Sequence, residues 1–359
     1  MRRTAYSAQS SLLKAVCHKP VMKTITEQLE ILINGGDLSI EQAQGLLDSI
    51  FECTVPESQI AAFLTATRMK KITAQELAGF ARSLRSHAAA IRVKADNLVD
   101  TCGTGGGAVK TSNVSTAAAL VAAGAGVYIA KHGNRGITSG CGSADVMEQL
   151  GVKIDASPEV VARCIEQAHI GFMFAPAFHP AARFVQPVRK SLGFRTVFNI
   201  LGPLANPAAV TAQVLGVADE GLMETVAEAL MLLGTRYAMV VHSEGLDEIS
   251  TAAVTKIIEL KSGKLVRKEL DPAGLGFKCA DLSGLKVPDV KASAKLIMDI
   301  LAGREKSPRR DIVVLNAAAA VIAAGLAGDF KLAVKIADAS ITSGSGMASL
   351  KKLIEISNS

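Results

Sequence analysis

The pattern of apolar and polar positions at the start of the chain is helical. Between residues 24 and 92, apolar side chains recur every three or four positions, which places them on one face of a helix. Ser39, Pro56 and Thr73, residue types that often begin helices, precede three of these stretches. We therefore predict a small helical domain over residues 24–92, with helices at residues 25–35, 39–52, 57–70 and 73–88.

From about residue 97 the pattern changes to short β-rich runs separated by longer helical stretches. Five such runs cover residues 97–103, 127–133, 170–176, 212–217 and 237–243. We predict a hairpin over residues 255–270 that turns at Ser262 and Gly263, and further helices over residues 316–328 and 331–344. The fold class is therefore α/β, with a helical lobe and a larger lobe, residues 93–359, built on a mostly parallel sheet flanked by helices. Ligands of such sheets bind at the carboxyl ends of the strands.

Composition and charge exclude two classes of protein. The chain has 359 residues, 49% of them apolar, but no apolar run approaches the roughly 20 residues that span a bilayer. Residues 1–23 hold five basic side chains and no acidic one, which leaves 34 basic and 33 acidic side chains in residues 24–359. Because that body is nearly neutral, we expect neither a membrane span nor a nucleic-acid partner.

The first 23 residues and the cysteines bear on where the protein acts. Residues 1–23 have the composition of a transit peptide, but a disordered extension, or a start at Met22, is the interpretation we favour. The six cysteines show no CxxC spacing, which argues against a zinc cluster or a disulfide framework. We expect reduced thiols and a cytoplasmic protein.

A glycine-rich segment, GTGGGAVKTSNVST, occupies residues 103–116 after the first strand. Its glycines permit positive φ angles and a close approach of ligand to backbone amides. We expect Ser115 or Thr116 to cap the helix that follows, whose N-terminus then faces outward. The segment suits a phosphate, although it is neither a Walker loop nor GxGxxG, and an ordinary capped helix remains the alternative.

Polar side chains also follow two other strands. In KHGNRGITSGCGSAD, residues 131–145, cations and hydroxyls stand among glycines, which favours an anionic ligand over a solvated loop. Asp247 and Glu248 follow the strand at 237–243, and two adjacent carboxylates can converge only in the loop beyond a strand. They are candidates for holding Mg²⁺, and two solvated acids are the equal alternative.

Three arginines, Arg183, Arg189 and Arg195, recur every six residues within a proline-rich segment. A guanidinium group matches a planar carboxylate through two parallel hydrogen bonds, which lysine cannot provide. An arginine on a helix is more often exposed to solvent, so these residues alone do not establish a binding site.

Taken together, the four clusters resemble the anthranilate phosphoribosyltransferase family, whose members have the nucleoside phosphorylase-like phosphoribosyltransferase fold. The resemblance covers essentially residues 24–359 and rests on GTGGG with TSNVST, KHGNR with TSGCGSADV, FMFAPAFHPAARFVQPVRKSLGFRTVFNILGPLANP, and GLDEIS, in the family's order and spacing. Two departures are visible. Gly107 stands where the family usually has Asp, and Ser112 where Phe is common.

The resemblance implies specific site residues. The site for phosphoribosyl pyrophosphate would be lined by Gly103, Gly106, Gly107, Thr111, Asn113, Val114, Ser115, Thr116, Lys131, Ser139 and Ser143. The anthranilate site would consist of Gly103, His132, Asn134, Arg189, Gly202 and Pro203. Two Mg²⁺ ions are implied per active site, one at Ser115 and the other at Asp247 and Glu248. A homodimer is also implied, together with a helical segment near 180–206 that joins the helical lobe.

The implied reaction is displacement of pyrophosphate from the phosphoribosyl group by the aromatic amine of anthranilate, in tryptophan biosynthesis. Because an aryl amine is neutral at pH 7, we expect no covalent intermediate and no nucleophilic side chain. Two alternatives remain. A nucleoside phosphorylase of the same fold would have no use for a Mg²⁺-binding carboxylate pair, and a nucleic-acid-binding paralogue is disfavoured by the neutral body.

Overall fold

A computed structural model describes residues 24–107, 112–136, 141–281 and 285–359. The predictions for residues 1–23, and for Thr111 and Ser139 as ligand contacts, lie outside these ranges. In the part of the chain that the structure describes, no helix is long and apolar enough to cross a membrane.

Four helices form at the positions that the sequence predicts: α1 (Ile25–Ile33), α2 (Ile40–Phe51), α3 (Glu57–Lys70) and α4 (Ala74–Ser86). Thr24, Ser39 and Thr73 each cap a helix, and in each case a Glu or Gln three residues later bonds back to the cap. These reciprocal hydrogen bonds fix the starts of α1, α2 and α4 locally, which is why the sequence pattern locates them well.

Two later helices pack against this group. They are α9 (Gln186–Leu192) and α10 (Phe198–Leu204). Val188 of α9 and Leu201 of α10 lie in the same buried apolar cluster as Phe63 and Phe80 of the first four helices. The segment carrying α9 and α10 is thus bound to the helical lobe by burial of apolar surface.

A seven-stranded sheet forms the centre of the larger lobe. Its strands are β1 (Val99–Gly103), β2 (Ile129–Gly133), β3 (Ile170–Phe174), β4 (Ala212–Gly216), β5 (Tyr237–His242), β6 (Thr255–Lys261) and β7 (Lys264–Leu270). Their order is β3-β2-β1-β4-β5-β6-β7. The pairs among β1 to β5 are parallel, and β6 and β7 add an antiparallel hairpin. The hairpin turns at Ser262 and Gly263, both with positive φ, as predicted.

The remaining helices cover the sheet. They are α5 (Val114–Gly124), α6 (Ser143–Gln149), α7 (Pro158–Ala168), α8 (Ala175–Phe178), α11 (Met223–Leu232), α12 (Val290–Leu301), α13 (Pro308–Ala323), α14 (Phe330–Thr342) and α15 (Ser345–Ser357). The alanine-rich α5 is buried almost throughout, packed between the sheet, α13 and α15. Its small side chains allow the helices to approach closely, and this rigid packing holds the N-terminus of α5 at the sheet edge.

The strand order reverses between β1 and β4. From β1 the chain moves outward through β2 and β3, then returns to place β4 on the other side of β1. Such a switch point leaves a crevice at the carboxyl ends of the two strands, where doubly wound proteins bind ligands. The glycine segment follows β1 directly, so it lies at this crevice.

Candidate active site

The glycine loop owes its shape to two different properties of glycine. Gly105 and Gly106 have φ of 65° and 76°, in the left-handed region that glycine tolerates. Gly103 and Gly107 do not have positive φ; they are required for space. A Cβ on Gly103 would lie 2.3 Å from Oδ2 of Asp247, and one on Gly107 would lie 2.7 Å from the carbonyl oxygen of Gly245.

Gly216, at the end of β4, also makes room for Asp247. A Cβ at Gly216 would lie 1.6 Å from the backbone oxygen of Asp247. The backbone that carries Asp247 therefore lies directly against the end of β4. Gly103 and Gly216 are paired neighbours in the sheet, so together they open the switch point to the loop after β5 that carries Asp247 and Glu248, called the carboxylate loop below.

Asp247 and Glu248 lie in the loop beyond β5, as the sequence predicts, and each reaches the segment after β1. The amide of Gly105 donates to Oδ2 of Asp247 at 2.8 Å. The amide of Ser115 donates to Oε1 of Glu248 at 3.2 Å. The two adjacent carboxylates thus span the glycine loop, one at its beginning and the other at the N-terminus of α5.

A buried asparagine of α13 fixes the carboxylate loop from beneath. Asn316 accepts from the amide of Ile249 at 3.0 Å and donates to the carbonyl of Ile249 at 2.8 Å. Asn316 therefore satisfies both backbone groups of Ile249, the residue after Glu248, as a neighbouring strand would do in a sheet. Sequence reasoning missed Asn316, because it lies 67 residues away in an alanine-rich helix with no local signal.

The carboxylates lie in surroundings that disfavour negative charge. Burial, followed by the charge of Asp247, raises the pKa of Glu248 to about 8. Burial also raises the pKa of Asp247, an effect that its hydrogen bond from Gly105 opposes. Two partly desolvated carboxylates side by side are stabilised by a nearby cation.

These residues fit a hard divalent cation whose coordination is completed by ligands from outside the protein. Carboxylate and hydroxyl oxygens are the ligands that Mg²⁺ prefers. Within the described ranges, no three His, Cys, Asp or Glu side chains converge as a metal-binding group. An all-protein cage for a metal is therefore not formed there, and an ion at Asp247 and Glu248 would share oxygens of a substrate or water.

The N-terminus of α5 differs from the sequence-based expectation. Asn113 occupies the cap position, with φ of 23°, while Ser115 and Thr116 lie within the first turn, so neither caps the helix. The Asn113 side chain is turned away from capping because Ser293 and Cys141 both donate to its Oδ1, at 2.9 and 3.0 Å. These tertiary contacts outweigh the local capping preference. The neighbouring Val114 and Ser112 are buried.

Lys131 is buried beneath the site, with 1% of its surface exposed. Its ammonium group donates to the carbonyl of Thr101 at 2.6 Å and to the hydroxyl of Ser115 at 3.5 Å. Burial lowers the pKa of Lys131, and the charges of Asp100 and Glu248 oppose that shift. The structure therefore places the positive charge of Lys131 beside Ser115 rather than at an open surface.

The loop that follows β2 ends at the N-terminus of α6. Asp145 accepts from the amides of Gly136 and Gly142, at 2.9 and 2.8 Å, and closes the loop on itself. Asn134 is exposed, and its backbone oxygen accepts from the hydroxyl of Ser143 at 3.5 Å. Arg135 forms ion pairs with Asp145 and Glu148, whereas among the described residues of this loop the side chains of Asn134 and Ser143 form no ion pair.

Two buried histidines meet below this loop. The His132 and His179 rings pack edge to face with centroids 5.0 Å apart. Nδ1 of His132 lies 3.1 Å from the carbonyl of Gly202, so we assign its proton to that nitrogen. Nε2 of His132 and both ring nitrogens of His179 are buried without a hydrogen-bond partner among the described residues. Burial lowers the pKa of His132 to about 3 and that of His179 to about 4, so both rings are neutral.

The three arginines have different surroundings. Arg183 is exposed and stacks on Phe184. Arg195 bonds to the glycine loop. Arg189 is partly buried, with its guanidinium 5.2 Å from the ring centroid of Phe198, and that guanidinium has no hydrogen-bond or ion-pair partner within the described ranges. Burial lowers the pKa of Arg189, although a guanidinium stays charged. Arg189 is thus a desolvated cation available to an anionic ligand.

Gly202 and Pro203, both within α10, link the histidines to the sheet. The carbonyl of Pro203 accepts from Gln213 of β4 at 2.6 Å, while that of Gly202 accepts from His132. These contacts fix α10 against β2 and β4. Sequence reasoning placed His132, Gly202 and Pro203 in the site but missed His179, whose only sequence signal is its position ahead of Pro180.

Two domain models of the glycosyl transferase family match the chain. The helical bundle domain of the glycosyl transferase family matches residues 26–88, and the a/b domain of that family matches residues 95–347. Among curated relatives, the anthranilate phosphoribosyltransferase of Methanocorpusculum labreanum is 48% identical over 93% of this chain and 98% of its own length. That of Roseiflexus sp. is 47% identical over the same shares.

Solved structures agree with these relatives. Anthranilate phosphoribosyltransferase from Thermus thermophilus superposes with a TM-score of 0.88 at 40% identity, over 92% of this chain and 99% of its own. The Saccharomyces cerevisiae enzyme in complex with phosphoribosyl pyrophosphate and Mg gives a TM-score of 0.84 at 28% identity, over 93% and 98%. The same enzyme with 4-fluoroanthranilate gives 0.83 at 27% identity. The chain described here belongs to the anthranilate phosphoribosyltransferase family of glycosyltransferases.

Proposed function

We propose that this protein transfers the phosphoribosyl group of phosphoribosyl pyrophosphate to the amine of anthranilate. The products are N-(5-phosphoribosyl)anthranilate and pyrophosphate, and the reaction belongs to tryptophan biosynthesis. One observation carries the proposal. The glycine loop and the carboxylate pair are hydrogen-bonded to each other at the sheet's switch point, through Gly105 with Asp247 and Ser115 with Glu248.

Phosphoribosyl pyrophosphate binds along the glycine loop and the start of α5. Backbone amides there, at Gly106 and Gly107, suit phosphate oxygens. Asn113 and Ser143 add neutral donors from two loops that Cys141 joins. The hydroxyl of Thr116 is buried and lacks a partner within the described ranges, so a water or substrate oxygen would satisfy it. Lys131 supports the site through Ser115.

Anthranilate binds between α9, α10 and the end of β2. The desolvated guanidinium of Arg189 pairs with the carboxylate, and Asn134 contributes an amide at the loop surface. The bare Nε2 of His132 is a buried acceptor, which suits an N–H of the amine. Gly103, which leads into the glycine loop, is the point where the two substrates meet.

Mg²⁺ is the expected cofactor, with two ions per active site. Asp247 and Glu248 would hold one ion, and the Ser115 hydroxyl would contact the other. When bound, these ions neutralise charge on the pyrophosphate as it departs. The described relatives include a yeast enzyme bound to phosphoribosyl pyrophosphate and Mg and a yeast variant with Mg bound, which supports this assignment.

The chain's own residues position two reactants and stabilise the leaving group. The amine is already a neutral nucleophile, so no side chain has to form a covalent intermediate. Amides of the glycine loop donate to oxygens on which negative charge grows, and they are oriented before the reaction begins. Arg189 and His132 hold anthranilate at the angle that displacement requires. His132, with a pKa of about 3, acts as an acceptor rather than as a strong base.

The two substrates are bound by different lobes. We propose one domain of residues 24–92, joined by the segment near 180–206, and a second of residues 93–359. Arg189 is carried by the first and the glycine loop by the second, so closing the lobes brings the reactants together.

Loss of anthranilate fluorescence tests the proposed function. Purified protein mixed with anthranilate, phosphoribosyl pyrophosphate and Mg²⁺ is expected to consume anthranilate, so that its fluorescence falls, and to release one pyrophosphate per anthranilate. Omission of Mg²⁺ is expected to stop both signals. Phosphorolysis of thymidine without metal, together with unchanged anthranilate fluorescence, would instead assign the protein to the nucleoside phosphorylases.

Restoring the family's acidic residue at position 107 is expected to weaken binding of phosphoribosyl pyrophosphate. A Cβ there lies 2.7 Å from the backbone oxygen of Gly245, and an added carboxylate would approach Asp247. We expect Gly107→Asp to raise the KM for this substrate about tenfold, more than Gly107→Ala, which adds the clash without the charge. Steady-state kinetics at saturating anthranilate measure the effect. A lower KM for Gly107→Asp would show that the loop readily accommodates the side chain.

A homodimer joined through the helical lobe is expected to depend on exposed apolar side chains at the ends of α1 and α3. Ile33 is 61% exposed and Met69 is 81% exposed. Lys70, next to Met69, bonds to Asp37 just beyond α1, so both side chains lie at the same end of the lobe. Met69→Glu is expected to shift the protein toward monomer in light scattering, because it places a charge in an apolar contact. Met231→Glu, an exposed methionine on α11, is the control, and equal dimer fractions for both variants would remove Met69 from the interface.

A further inference from the structure

Arg195 connects the glycine loop to the segment between α9 and α10. Its Nη2 donates to the carbonyl of Gly105 at 2.9 Å and to that of Thr104 at 3.5 Å. Within the described ranges it forms no ion pair, so a charged guanidinium is bound by neutral backbone oxygens alone. Sequence reasoning grouped Arg195 with Arg183 and Arg189 and gave it no separate role.

The guanidinium group also packs against Gly106. A Cβ on that glycine would lie 1.3 Å from Nη1 and 2.5 Å from Cζ of Arg195. Gly105 and Gly106 both have positive φ. Because glycine adopts negative φ as readily, the backbone at these two residues could also take other conformations. Arg195 therefore contacts the loop at the two residues whose backbone is least restricted by its own geometry.

Gly105 is also bound by the carboxylate loop. The carbonyl of Gly105 accepts from Arg195, and its amide donates to Asp247 at 2.8 Å. Thr104, the residue before, is fixed to β4, because its amide donates to Gly216 at 2.9 Å and its hydroxyl accepts from Ala218 at 3.1 Å. With these contacts made, the peptide planes on both sides of Gly105 are fixed.

Arg195 is itself held by the helical lobe. Val197 and Phe198, which follow it, are buried in the apolar cluster of α1–α4, and the amide of Thr196 donates to Asn199 at 2.9 Å. Arg189 lies six residues earlier in the sequence, on α9. A single segment thus carries both Arg189, which is available to an anionic ligand, and Arg195, which is hydrogen-bonded to the glycine loop.

We propose that Arg195 is a positioning residue that fixes the backbone of the glycine loop at Gly105 and Gly106 beside the phosphoribosyl pyrophosphate site and joins that site to the segment carrying Arg189. The inference rests on the proposed function for its kinetic part. Its structural part, that Arg195 orders the glycine loop, holds whatever the substrate is.

Replacement of Arg195 tests the proposal kinetically. Arg195→Ala is expected to raise the KM for phosphoribosyl pyrophosphate about 10- to 100-fold, the usual effect of losing a charge-assisted hydrogen bond pair. The KM for anthranilate should change less than about twofold, because Arg189 is anchored by α9 and not by Arg195. Arg195→Lys should recover only part of the loss, since an ammonium cannot lie flat on Gly106 while bonding two carbonyls. Arg183→Ala, an exposed arginine 12 residues earlier, is the control.

Two further measurements separate a positioning role from general destabilisation. Added guanidinium at millimolar concentration, well below denaturing levels, is expected to restore part of the activity of Arg195→Ala and none to Gly106→Ala. Hydrogen exchange is expected to accelerate in the peptide covering residues 104–107 of Arg195→Ala, with α5 and α13 unchanged. This second readout needs no activity.

The outcomes are distinguishable. A substrate-selective rise in KM with faster exchange at residues 104–107 supports the proposal. Equal rises in both KM values with a lowered Tm, or kinetics and exchange identical to those of the wild type, overturn it while the proposed function stands. If the wild-type protein does not consume anthranilate, the proposed function fails, and the exchange experiment alone decides whether Arg195 orders the loop.

Discussion

Replacing Asp247 and Glu248 together with alanine is expected to reduce Mg²⁺-dependent turnover by about 10³-fold or more, which corresponds to several kcal/mol of transition-state stabilisation. These carboxylates are the described acidic groups that contact the glycine loop and the start of α5. Without them, the site loses the ligands that would hold a Mg²⁺ ion against the charge of the departing pyrophosphate. Steady-state rates measured across a Mg²⁺ titration provide the test.

The design of that experiment has to separate loss of the ion from loss of the fold. Both side chains are partly buried and costly to ionise, so their removal should not lower the Tm much. Glu244→Ala, an exposed acidic residue in the same loop, is the matched control and is expected to retain activity. Full activity of the double variant with an unchanged Mg²⁺ requirement would place the metal elsewhere.

Arg189→Ala is expected to raise the KM for anthranilate by about 10- to 150-fold, because it removes a charge-assisted pair worth on the order of 1.5 to 3 kcal/mol. The guanidinium is partly buried against Phe198 and has no partner within the described part of the chain, so its charge is available to a ligand carboxylate. The KM for phosphoribosyl pyrophosphate should remain nearly constant. Initial rates over a matrix of both substrate concentrations measure the two constants together.

Conservative and distant variants sharpen the test of Arg189. Arg189→Lys keeps the charge but loses the planar fork, so we expect an intermediate KM. Arg183→Ala removes an exposed arginine that stacks on Phe184 and is expected to leave both constants unchanged. An unchanged KM for anthranilate in Arg189→Ala would reject the assignment of Arg189 to this substrate.

Local signals account for the parts of the fold that the sequence predicted well. Capping by Ser39 and Thr73 is decided within four residues, and the hairpin turn depends on Ser262 and Gly263 themselves. The five parallel strands could be predicted because strands buried on both faces form short apolar runs in the sequence, here bounded by polar residues. Each of these features is determined by a short stretch of chain, which is what a sequence pattern reports.

Features of the site that depend on distant contacts were missed or wrong. Asn113, and not Ser115 or Thr116, occupies the cap position of α5, and its side chain does not cap the helix because Ser293, 180 residues away, binds it. Gly216 and Asn316 shape the carboxylate loop through packing that leaves no local pattern. The glycine loop was correctly placed, but half of its glycines are required for space and not for conformation.

A crystal structure with phosphoribosyl pyrophosphate and Mn²⁺ in place of Mg²⁺ tests the central claim most directly, because anomalous scattering locates the ion. Our account predicts one ligand molecule whose phosphate oxygens accept from amides of residues 103–116, with an anomalous peak between its pyrophosphate and the side chains of Asp247 and Glu248. A ligand bound elsewhere, or an ion that neither carboxylate contacts, would contradict it.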